Sequence, residues 1–380
     1  MGKKKIRIMK KPILILLSCF FLIVSCETEP QIDESYSSLN QKTNVNKKEN
    51  TDSFSDSYRS QQQLQTEEQQ LVENLRTQFL QNDSPSACLP TDLAPLVTKY
   101  MDQLMSDPVA GGMYDNYIRL NRTLAQNDTD KQYFGKDGEY TRLMEKRIRE
   151  LERFWGMRGE ISVKGQHSET LDNRDKLAGY FYSISFDDRS WENAYDMAEQ
   201  YIENNRKSDF LPESPLLAGD GFTNHKDQIV IGDGLVQILS ETGIAPEIIW
   251  TGILAHEWVH QIQINHTDTW YNGESPFLNA PVIKTELEAD FFAAYFLTHK
   301  RGATYNWKRV EEFMNLFFQS GDCALDNPQH HGTPDQRMTA SELGYELAES
   351  AQRKGHILSP DEVHEAYLSL LPQILDGSLQ

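Results

Sequence analysis

The most constraining feature of this chain is a pair of histidines four residues apart at the end of an apolar run. Residues 256–260 read HEWVH and follow IIWTGILA at 248–255. On an α-helix, positions i and i+4 share a face, so His256 and His260 can direct two imidazoles at one metal ion. Glu257 lies ~100° further round the helix, close enough to hold a water on that metal. The pattern predicts a buried helix equipped for metal-assisted hydrolysis.

Two alternatives exist for a third metal ligand. Glu286 and Asp290 lie four residues apart in a second apolar segment, TELEADFFAAYFL at 285–297. Their spacing places both carboxylates on one helix face, where Glu286 could complete His₂Glu coordination and Asp290 could accept the free N–H of a metal-bound His. The other candidate is His266, at the spacing of an H-E-x-x-H-x-x-G-x-x-H site. Gln263 stands where that site needs a glycine for a sharp turn, so the sequence favours Glu286.

Together these segments resemble the gluzincin metallopeptidases. AHEWVH at 255–260, paired with ELEAD at 286–290, is similar to the group that contains the HtpX-type membrane protease, the CAAX prenyl protease and their soluble periplasmic relatives. In that group the third ligand opens an E-x-x-A-D motif, so the resemblance implies that Glu286 binds zinc. The group also has a His followed six residues later by an Arg, which stabilise the oxyanion and brace the site. His331 and Arg337 match that pair.

The segment before the HEWVH motif extends the resemblance. Residues 228–236, QIVIGDGLV, resemble the edge strand that lies beside the substrate in this group. The resemblance covers about residues 220–345. It departs from the named membrane enzymes in lacking their membrane spans, so their substrates cannot be carried over.

The rest of the chain indicates an α+β fold that is mainly helical. Residue patterns predict helices over 92–106, 139–155 and 190–205, the last with Ser190 as its N-cap. β-Branched and aromatic residues predict strands at 161–163 and 180–186. We expect a zincin-like metallopeptidase domain with a small β-sheet beside the active-site helix.

The N-terminus predicts export and a lipid anchor. Six Lys and Arg residues between positions 3 and 11 precede an apolar stretch of 12 residues at 13–24, too short to span a bilayer core of roughly 30 Å. The sequence IVSC at 23–26 resembles a bacterial lipoprotein signal, so residues 1–25 would be removed and Cys26 would carry the lipid. A plain secretory signal cleaved nearby would export the protein as well.

The organisation expected after the signal is a tether followed by one large domain. Residues 26–62 are rich in Ser, Asn, Gln, Lys and Glu and poor in large apolar groups, which is typical of a disordered segment. Apolar residues at helical spacing over 63–81 predict an N-terminal helical region. The metallopeptidase domain is therefore expected to occupy residues 63–380.

The charge of the chain argues against nucleic acid as a partner. The formal net charge is −20, and loss of the six basic residues with the signal would make it −26. So acidic a body repels nucleic acid and anionic lipid. We therefore expect membrane contact only through the anchor at Cys26.

Cys88 and Cys323 are the cysteines that follow the N-terminal segment. In an oxidising periplasm they could form one disulfide between the start of the domain and the loop before His331. They could equally remain two buried thiols. Neither has the C-x-x-C spacing of a zinc site, so neither is assigned to the metal.

These features predict a zinc-dependent metalloendopeptidase of the bacterial cell envelope, with one Zn²⁺ per chain. Its substrates would be unfolded or flexible protein segments that pair with the strand at 229–232 by β-augmentation. The alternative is a zinc-stabilised, non-proteolytic binding or chaperone lipoprotein, against which the intact Glu257 argues, because a structural zinc site needs no general base. The assigned residues are His256, His260 and Glu286 for the metal, Asp290 behind them, and Glu257, His331 and Arg337 for catalysis.

Overall fold

The computed structural model describes Cys88 and residues 91–185, 190–276, 282–305, 307–325, 327, 330–354 and 356–376. The expected signal at 1–25, the lipid site Cys26, the tether at 26–62 and the helix at 63–81 lie outside the described residues. Among the residues that are described, no helix combines the length and the apolar character needed to cross a bilayer.

The described chain is mainly helical, with one small β-sheet, as the α+β prediction requires. One cluster of buried apolar side chains runs from Leu93 to Ile374 and joins helices from both ends of the described chain. In chain order the helices are α1 (Leu93–Ser106), α2 (Pro108–Asn127), α3 (Thr141–Trp155), α4 (Arg174–Ile184), α5 (Trp191–Asn205), α6 (Asp233–Ser240), α7 (Pro246–Asn265), α8 (Thr267–Trp270), α9 (Val282–Thr298), α10 (Trp307–Gln319), α11 (Pro334–Lys354) and α12 (Pro360–Asp376).

The three helices predicted from residue patterns are confirmed as α1, α3 and α5. Each predicted boundary lies within two residues of the observed one. The N-cap of α5 is also confirmed, because the Ser190 hydroxyl accepts a hydrogen bond from the Asn193 N–H at 3.1 Å. This bond satisfies one of the backbone donors left open in the first turn of a helix.

The strand predicted at 180–186 is wrong, because residues up to Ile184 belong to α4. The helix begins upstream, where the Asn173 side chain accepts the Lys176 N–H at 3.1 Å. Its buried residues Leu177, Ala178 and Phe181 follow a helical spacing and face the core, where α4 packs against α5. The aromatic residues that suggested a strand are thus placed by an N-cap and by tertiary packing, which override β-propensity.

The sheet has three strands in the order β1–β3–β2, formed by β1 (Ser162–Gln166), β2 (Gly221–Asn224) and β3 (Gln228–Gly232). The strand predicted at 161–163 is confirmed as the start of β1. β3 pairs in parallel with β1, through Val163 and Ile229, and antiparallel with β2. The expectation that 228–236 forms an edge strand is therefore wrong: β3 is the central strand, and residues from Asp233 onward form α6. A continuous apolar run such as 229–231 is typical of a strand that is covered on both faces.

α7 is the central helix of the fold. Pro246 occupies its first turn, where the missing N–H costs nothing, and every residue from Ile248 to Gln263 is buried. A helix that is apolar all round belongs in the interior of a protein. β2 and β3 pack on α7, as do α3, α6, α9 and α10. The HEWVH motif is therefore enclosed by other elements.

α9 and α11 approach each other closely at Gly344. A Cβ atom added to Gly344 would lie 2.1 Å from the backbone oxygen of Phe291, so only glycine allows this contact. The approach brings Arg337, in the first turn of α11, against Asp290 on α9. The packing of these two helices thus sets one side of the candidate site.

Cys88 and Cys323 form a disulfide, with their Cα atoms 5.7 Å apart and a sequence separation of 235. The bond joins the start of the described chain to the loop between α10 and α11. Of the two alternatives open from the sequence, the structure shows the paired one.

Loss of this disulfide is expected to lower the free energy of unfolding by about 2–5 kcal/mol, because the bond restricts a long loop in the unfolded chain. Denaturant unfolding of the oxidised protein and of a Cys88→Ser/Cys323→Ser double variant measures the difference. The reduced wild type serves as a control and is expected to match the variant. Equal stability of oxidised and reduced wild type would contradict the prediction.

Candidate metal centre

Three side chains from two helices converge inside the protein. α7 presents His256 and His260, whose Nε2 atoms lie 3.1 Å apart. α9 presents Glu286, with Oε2 3.3 Å from the Nε2 of His256 and Oε1 3.4 Å from the Nε2 of His260. The two histidines have no solvent exposure and Glu286 has 1%. These three residues form a group that can hold a metal ion.

Hydrogen bonds to the outer ring nitrogens determine how the two imidazoles face each other. The Nδ1 of His256 lies 2.9 Å from Asp290 Oδ1, and the Nδ1 of His260 lies 2.8 Å from Gln263 Oε1. Both partners are acceptors, so each Nδ1 carries a hydrogen. In the neutral ring the Nε2 atom then bears a lone pair. Two lone pairs and a carboxylate therefore point at one volume, an arrangement that a cation stabilises.

The spacing of the three donor atoms suits tetrahedral coordination. Metal–ligand bonds of about 2.0–2.1 Å place the ligands of a tetrahedral zinc site roughly 3.3–3.4 Å apart. The two Nε2 atoms lie 3.1 Å apart, and each lies 3.3 or 3.4 Å from one of the two Glu286 oxygens, close to that edge length. Among the described residues the group has three members, which leaves one position of a tetrahedron for a water or a substrate.

The electrostatics of the site favour a positive charge between the imidazoles. Burial alone would lower the pKa of His256, but its hydrogen bonds to Asp290 and Glu286 raise that pKa above the usual value. Burial likewise opposes the charge of Glu286, yet His260 and the hydrogen bonds from both rings hold the pKa of this carboxyl well below its ordinary range. A proton or a metal ion can supply the charge, and metal binding displaces the proton.

Glu257 places a carboxyl group beside the three ligand candidates. The residue is fully buried, and neither carboxylate oxygen has a hydrogen-bond partner among the described residues. Burial is the main reason that its pKa rises to about 8. An unpartnered buried carboxyl is costly, so such a group is retained where a ligand or a water needs it. Gly221 of β2 passes close by, since a Cβ added there would lie 3.7 Å from Glu257 Oε1.

Arg337 contacts the two carboxylates of the centre, Asp290 and Glu286. Its Nε donates to Asp290 Oδ2 at 2.6 Å and its Nη2 to Asp290 Oδ1 at 2.8 Å, while Nη1 lies 3.5 Å from Glu286 Oε2. Burial opposes the guanidinium charge, but Asp290 raises its pKa above the usual value. The carboxylates of Asp290 and Glu286 and the guanidinium of Arg337 together carry one net negative charge, which a divalent cation complements. Of the two roles implied by the resemblance, the geometry supports the brace.

His331 lies in the loop between α10 and α11, next to the disulfide. Its backbone N–H donates to Asp322 Oδ2 at 2.9 Å, and its ring Nδ1 lies 3.6 Å from the same oxygen. The Nδ1 of His330 contacts the other oxygen of Asp322 at 2.6 Å. His331 is 5% exposed, and its charge is among the influences that lower the pKa of Glu286. Asp322, beside Cys323, therefore fastens the loop that carries His331.

His266 does not join the group. It caps the C-terminus of α7, and its Nδ1 bonds the backbone oxygen of Ile262 at 2.7 Å. Its ring stacks on Trp270, with the ring centroids 4.3 Å apart. The residue that stands beside His256 and His260 is Glu286, in agreement with the preference drawn from the sequence.

Three polar residues around the centre were not found by the sequence analysis. Gln263 was noted only for occupying a glycine position, yet it is the hydrogen-bond partner of His260. Its position three residues after a ligand, on the same helix face, was a usable signal. Glu288 and Asp322 carried no such signal, because their contacts depend on how separate elements pack.

Comparison of the chain with models of known families, with curated proteins and with solved structures finds no match.

Asp290→Asn is expected to weaken metal binding by about 10–100-fold, because the acceptor that orients His256 loses its charge. Asparagine keeps the volume and one oxygen that can accept from Arg337, whereas alanine would leave the buried guanidinium without any acceptor at 290. Competition with a chelator measures the metal affinity. Asp361→Asn is the control, because that carboxylate bonds Trp270 at the surface. Wild-type affinity in Asp290→Asn would show that the charge at 290 does not support the centre.

Proposed function

We propose that this protein is a zinc-dependent metalloendopeptidase that hydrolyses peptide bonds of protein substrates. The observation that carries the proposal is the group of His256, His260 and Glu286 with the unpartnered carboxyl of Glu257 beside it. A purely structural metal site would be closed by four protein ligands and would not need a buried acid at its side. The zincin-like identity of the fold belongs to the same proposal.

The ligand set favours a transition metal such as zinc over Mg²⁺ or Ca²⁺. Two imidazoles and one carboxylate in a buried setting are typical of catalytic zinc, whereas Mg²⁺ and Ca²⁺ prefer oxygen ligands throughout. When bound, the zinc would polarise the scissile carbonyl and lower the pKa of a water toward about 7. Metal analysis of the purified protein is expected to find one Zn²⁺ per chain.

Glu257 would act as the general base and then as the general acid. The charge of a bound zinc would favour the ionised form of this carboxyl, which would accept a proton from the attacking water and pass that proton to the leaving amine. The position of Glu257, one residue after a ligand on a rigid and fully buried helix, limits how far its carboxyl can move. Because neither oxygen has another partner among the described residues, no hydrogen bond there competes for the carboxyl.

His331 and Arg337 would have different tasks. His331 would donate a hydrogen bond to the oxyanion of the tetrahedral intermediate, and loss of one such donor typically costs about 10²–10³ in rate. Arg337 uses its guanidinium on Asp290 and Glu286, so it would hold those carboxylates in place rather than touch the substrate. We therefore assign Arg337 as a positioning residue.

The substrate path differs from the one expected at 229–232. Both sides of β3 are paired, so an added strand cannot bind there. Among the described strands, β1 and β2 each have a partner on one side only. β2 packs against α7, where the Thr223 hydroxyl donates to the backbone oxygen of Glu257 at 2.9 Å. We propose that an extended substrate segment pairs with β2 and passes Glu257. Because β2 and the metal ligands are buried, binding requires movement of the segments that cover them.

The proposed setting is the bacterial cell envelope, with the protein held to a membrane through a lipid at Cys26 and facing the periplasm or the cell surface. Flexible or unfolded protein segments would be the substrates, because a folded protein cannot enter a centre of this depth. Nucleic acid remains an unsuitable partner for a chain with a net charge of −20.

Digestion of a denatured protein such as casein tests the proposal against the non-proteolytic alternative. We expect cleavage by the purified full chain, loss of cleavage with a chelator, and recovery on addition of Zn²⁺. Binding of the denatured protein without cleavage, with one metal per chain, would instead support a zinc-stabilised chaperone lipoprotein.

A further inference from the structure

The two histidines of the centre are held by chemically different partners. His256 contacts a carboxylate, whereas His260 contacts the side-chain amide of Gln263. An amide presents both an oxygen and an NH₂ group, so it can fix the proton on a neighbouring imidazole only if its own orientation is fixed. The environment of Gln263 therefore bears directly on the second ligand.

The orientation of the Gln263 amide is determined by two acceptors. Its Nε2 donates to the backbone oxygen of Thr285 at 3.0 Å and to Glu288 Oε2 at 2.9 Å. A flipped amide would place its oxygen against these two oxygens and its NH₂ group against the Nδ1 of His260. The ring would then have to carry its hydrogen on Nε2, and the lone pair that faces the metal would be lost.

Glu288 is itself held by donors from two further parts of the chain. The Tyr271 hydroxyl donates to Oε2 at 3.0 Å, and the Nδ1 of His364 on α12 contacts Oε1. The His364 ring stacks on Trp270 with the centroids 4.1 Å apart. Glu288 is 2% exposed, and a carboxylate buried to this degree is retained only with such partners.

We propose that Gln263 and Glu288 are positioning residues that hold His260 in the tautomer and orientation required of a metal ligand. Glu288 orients the amide, the amide accepts the Nδ1 hydrogen of His260, and the Nε2 lone pair faces the metal. The relay links the centre to α12, about 100 residues further along the chain. It rests on the proposed function only in taking His260 as a metal ligand.

The chain offers a matched control for a test of this relay. Gln261 and Gln263 are both fully buried glutamines on α7. The Nε2 of Gln261 donates to the backbone oxygens of Asn224 at 2.9 Å and Gln228 at 3.3 Å, so it serves the sheet and not the centre. Gln263→Met and Gln261→Met each replace a buried glutamine of α7 with an apolar side chain of similar length.

Metal affinity is the first readout. We expect Gln263→Met to weaken binding of Zn²⁺ by about 10–100-fold and to change the visible absorption of the Co²⁺-substituted protein, because the ring of His260 loses its acceptor. Gln261→Met is expected to keep wild-type affinity and spectrum, even where its thermal stability falls. An equal loss of affinity in both variants would overturn the relay, because a general packing defect would then explain it.

An exchange of amide and carboxylate is the second readout. Gln263→Glu alone places two carboxylates against each other and is expected to weaken metal binding. Gln263→Glu combined with Glu288→Gln restores a donor facing the carboxylate at 263 and keeps an acceptor for His260. The backbone oxygen of Thr285 still faces that carboxylate, so affinity is expected to recover in part. Failure of the double variant to bind better than Gln263→Glu would contradict the relay.

These titrations are independent of peptide cleavage. A wild type that binds Zn²⁺ but does not cleave would refute the proposed activity, while the order of metal affinities among the variants would still decide on the relay. A wild type that binds no Zn²⁺ or Co²⁺ would overturn both.

Discussion

Glu257→Gln is expected to reduce peptide cleavage by about 10²–10⁴-fold while the protein keeps its metal. Glutamine has the shape of glutamate but cannot accept the proton of the attacking water. The three ligand candidates are unchanged, and neither Glu257 oxygen bonds a described residue, so the amide breaks no contact that holds the site together. Cleavage of denatured casein and metal analysis of the same preparation measure the two effects.

Glu247→Gln is the matched control for this variant, because Glu247 is an exposed glutamate in the first turn of the same helix. It is expected to cleave at the wild-type rate. Cleavage at the wild-type rate by Glu257→Gln would contradict the assignment of Glu257 as general base and the hydrolytic mechanism that depends on it. Loss of the metal in Glu257→Gln would instead show that Glu257 is needed to assemble the centre.

Glu286→Ala is expected to remove the metal, whereas His266→Ala is expected to leave its content near one per chain. Glu286 lies within 3.4 Å of both histidine Nε2 atoms, but His266 bonds its own helix and stacks on Trp270. Without Glu286 the metal would keep two protein ligands. Catalytic zinc sites use three protein ligands and structural zinc sites use four. Metal analysis after dialysis against a weak chelator measures the difference.

Glu286→Gln is the control for a folding defect in Glu286→Ala, because glutamine keeps the volume of the side chain. A glutamine oxygen is a weaker ligand than a carboxylate, so reduced metal content with unchanged circular dichroism is expected. Metal lost from His266→Ala and retained by Glu286→Ala would transfer the third ligand to His266. The proposed reaction would stay the same, but the metal site would then have three histidine ligands in place of two histidines and a glutamate.

The helices of the centre could be predicted because their information is local. An apolar run of helical length and an i, i+4 pair of ligands place His256 and His260 on one face of α7 whatever the helix packs against. The same geometry places Glu286 and Asp290 on one face of α9. Helices that are apolar on all faces must be buried, so these two helices are expected to pack in the core. Their packing brings the two histidines and the glutamate together.

The prediction failed where a local preference competes with packing. The aromatic segment at 180–184 has strand propensity, but the N-cap at Asn173 and the contact with α5 make it helical. The segment at 229–232 was identified correctly as a strand, yet its position within the sheet was wrong. An apolar run shows that a strand is buried, and the neighbours of that strand depend on distant residues.

The sequence by itself determined the class of fold, the two helices of the centre and the residue types that can hold a metal, because these depend on spacings of four residues along one helix. Only the tertiary structure decided that Cys88 meets Cys323, that Arg337 pairs with Asp290 and that Glu288 orients the Gln263 amide. These contacts join elements separated by about 25 to 235 residues. A hydrogen bond demands that its two atoms meet within a few tenths of an ångström, and that accuracy arises only when the whole core is packed.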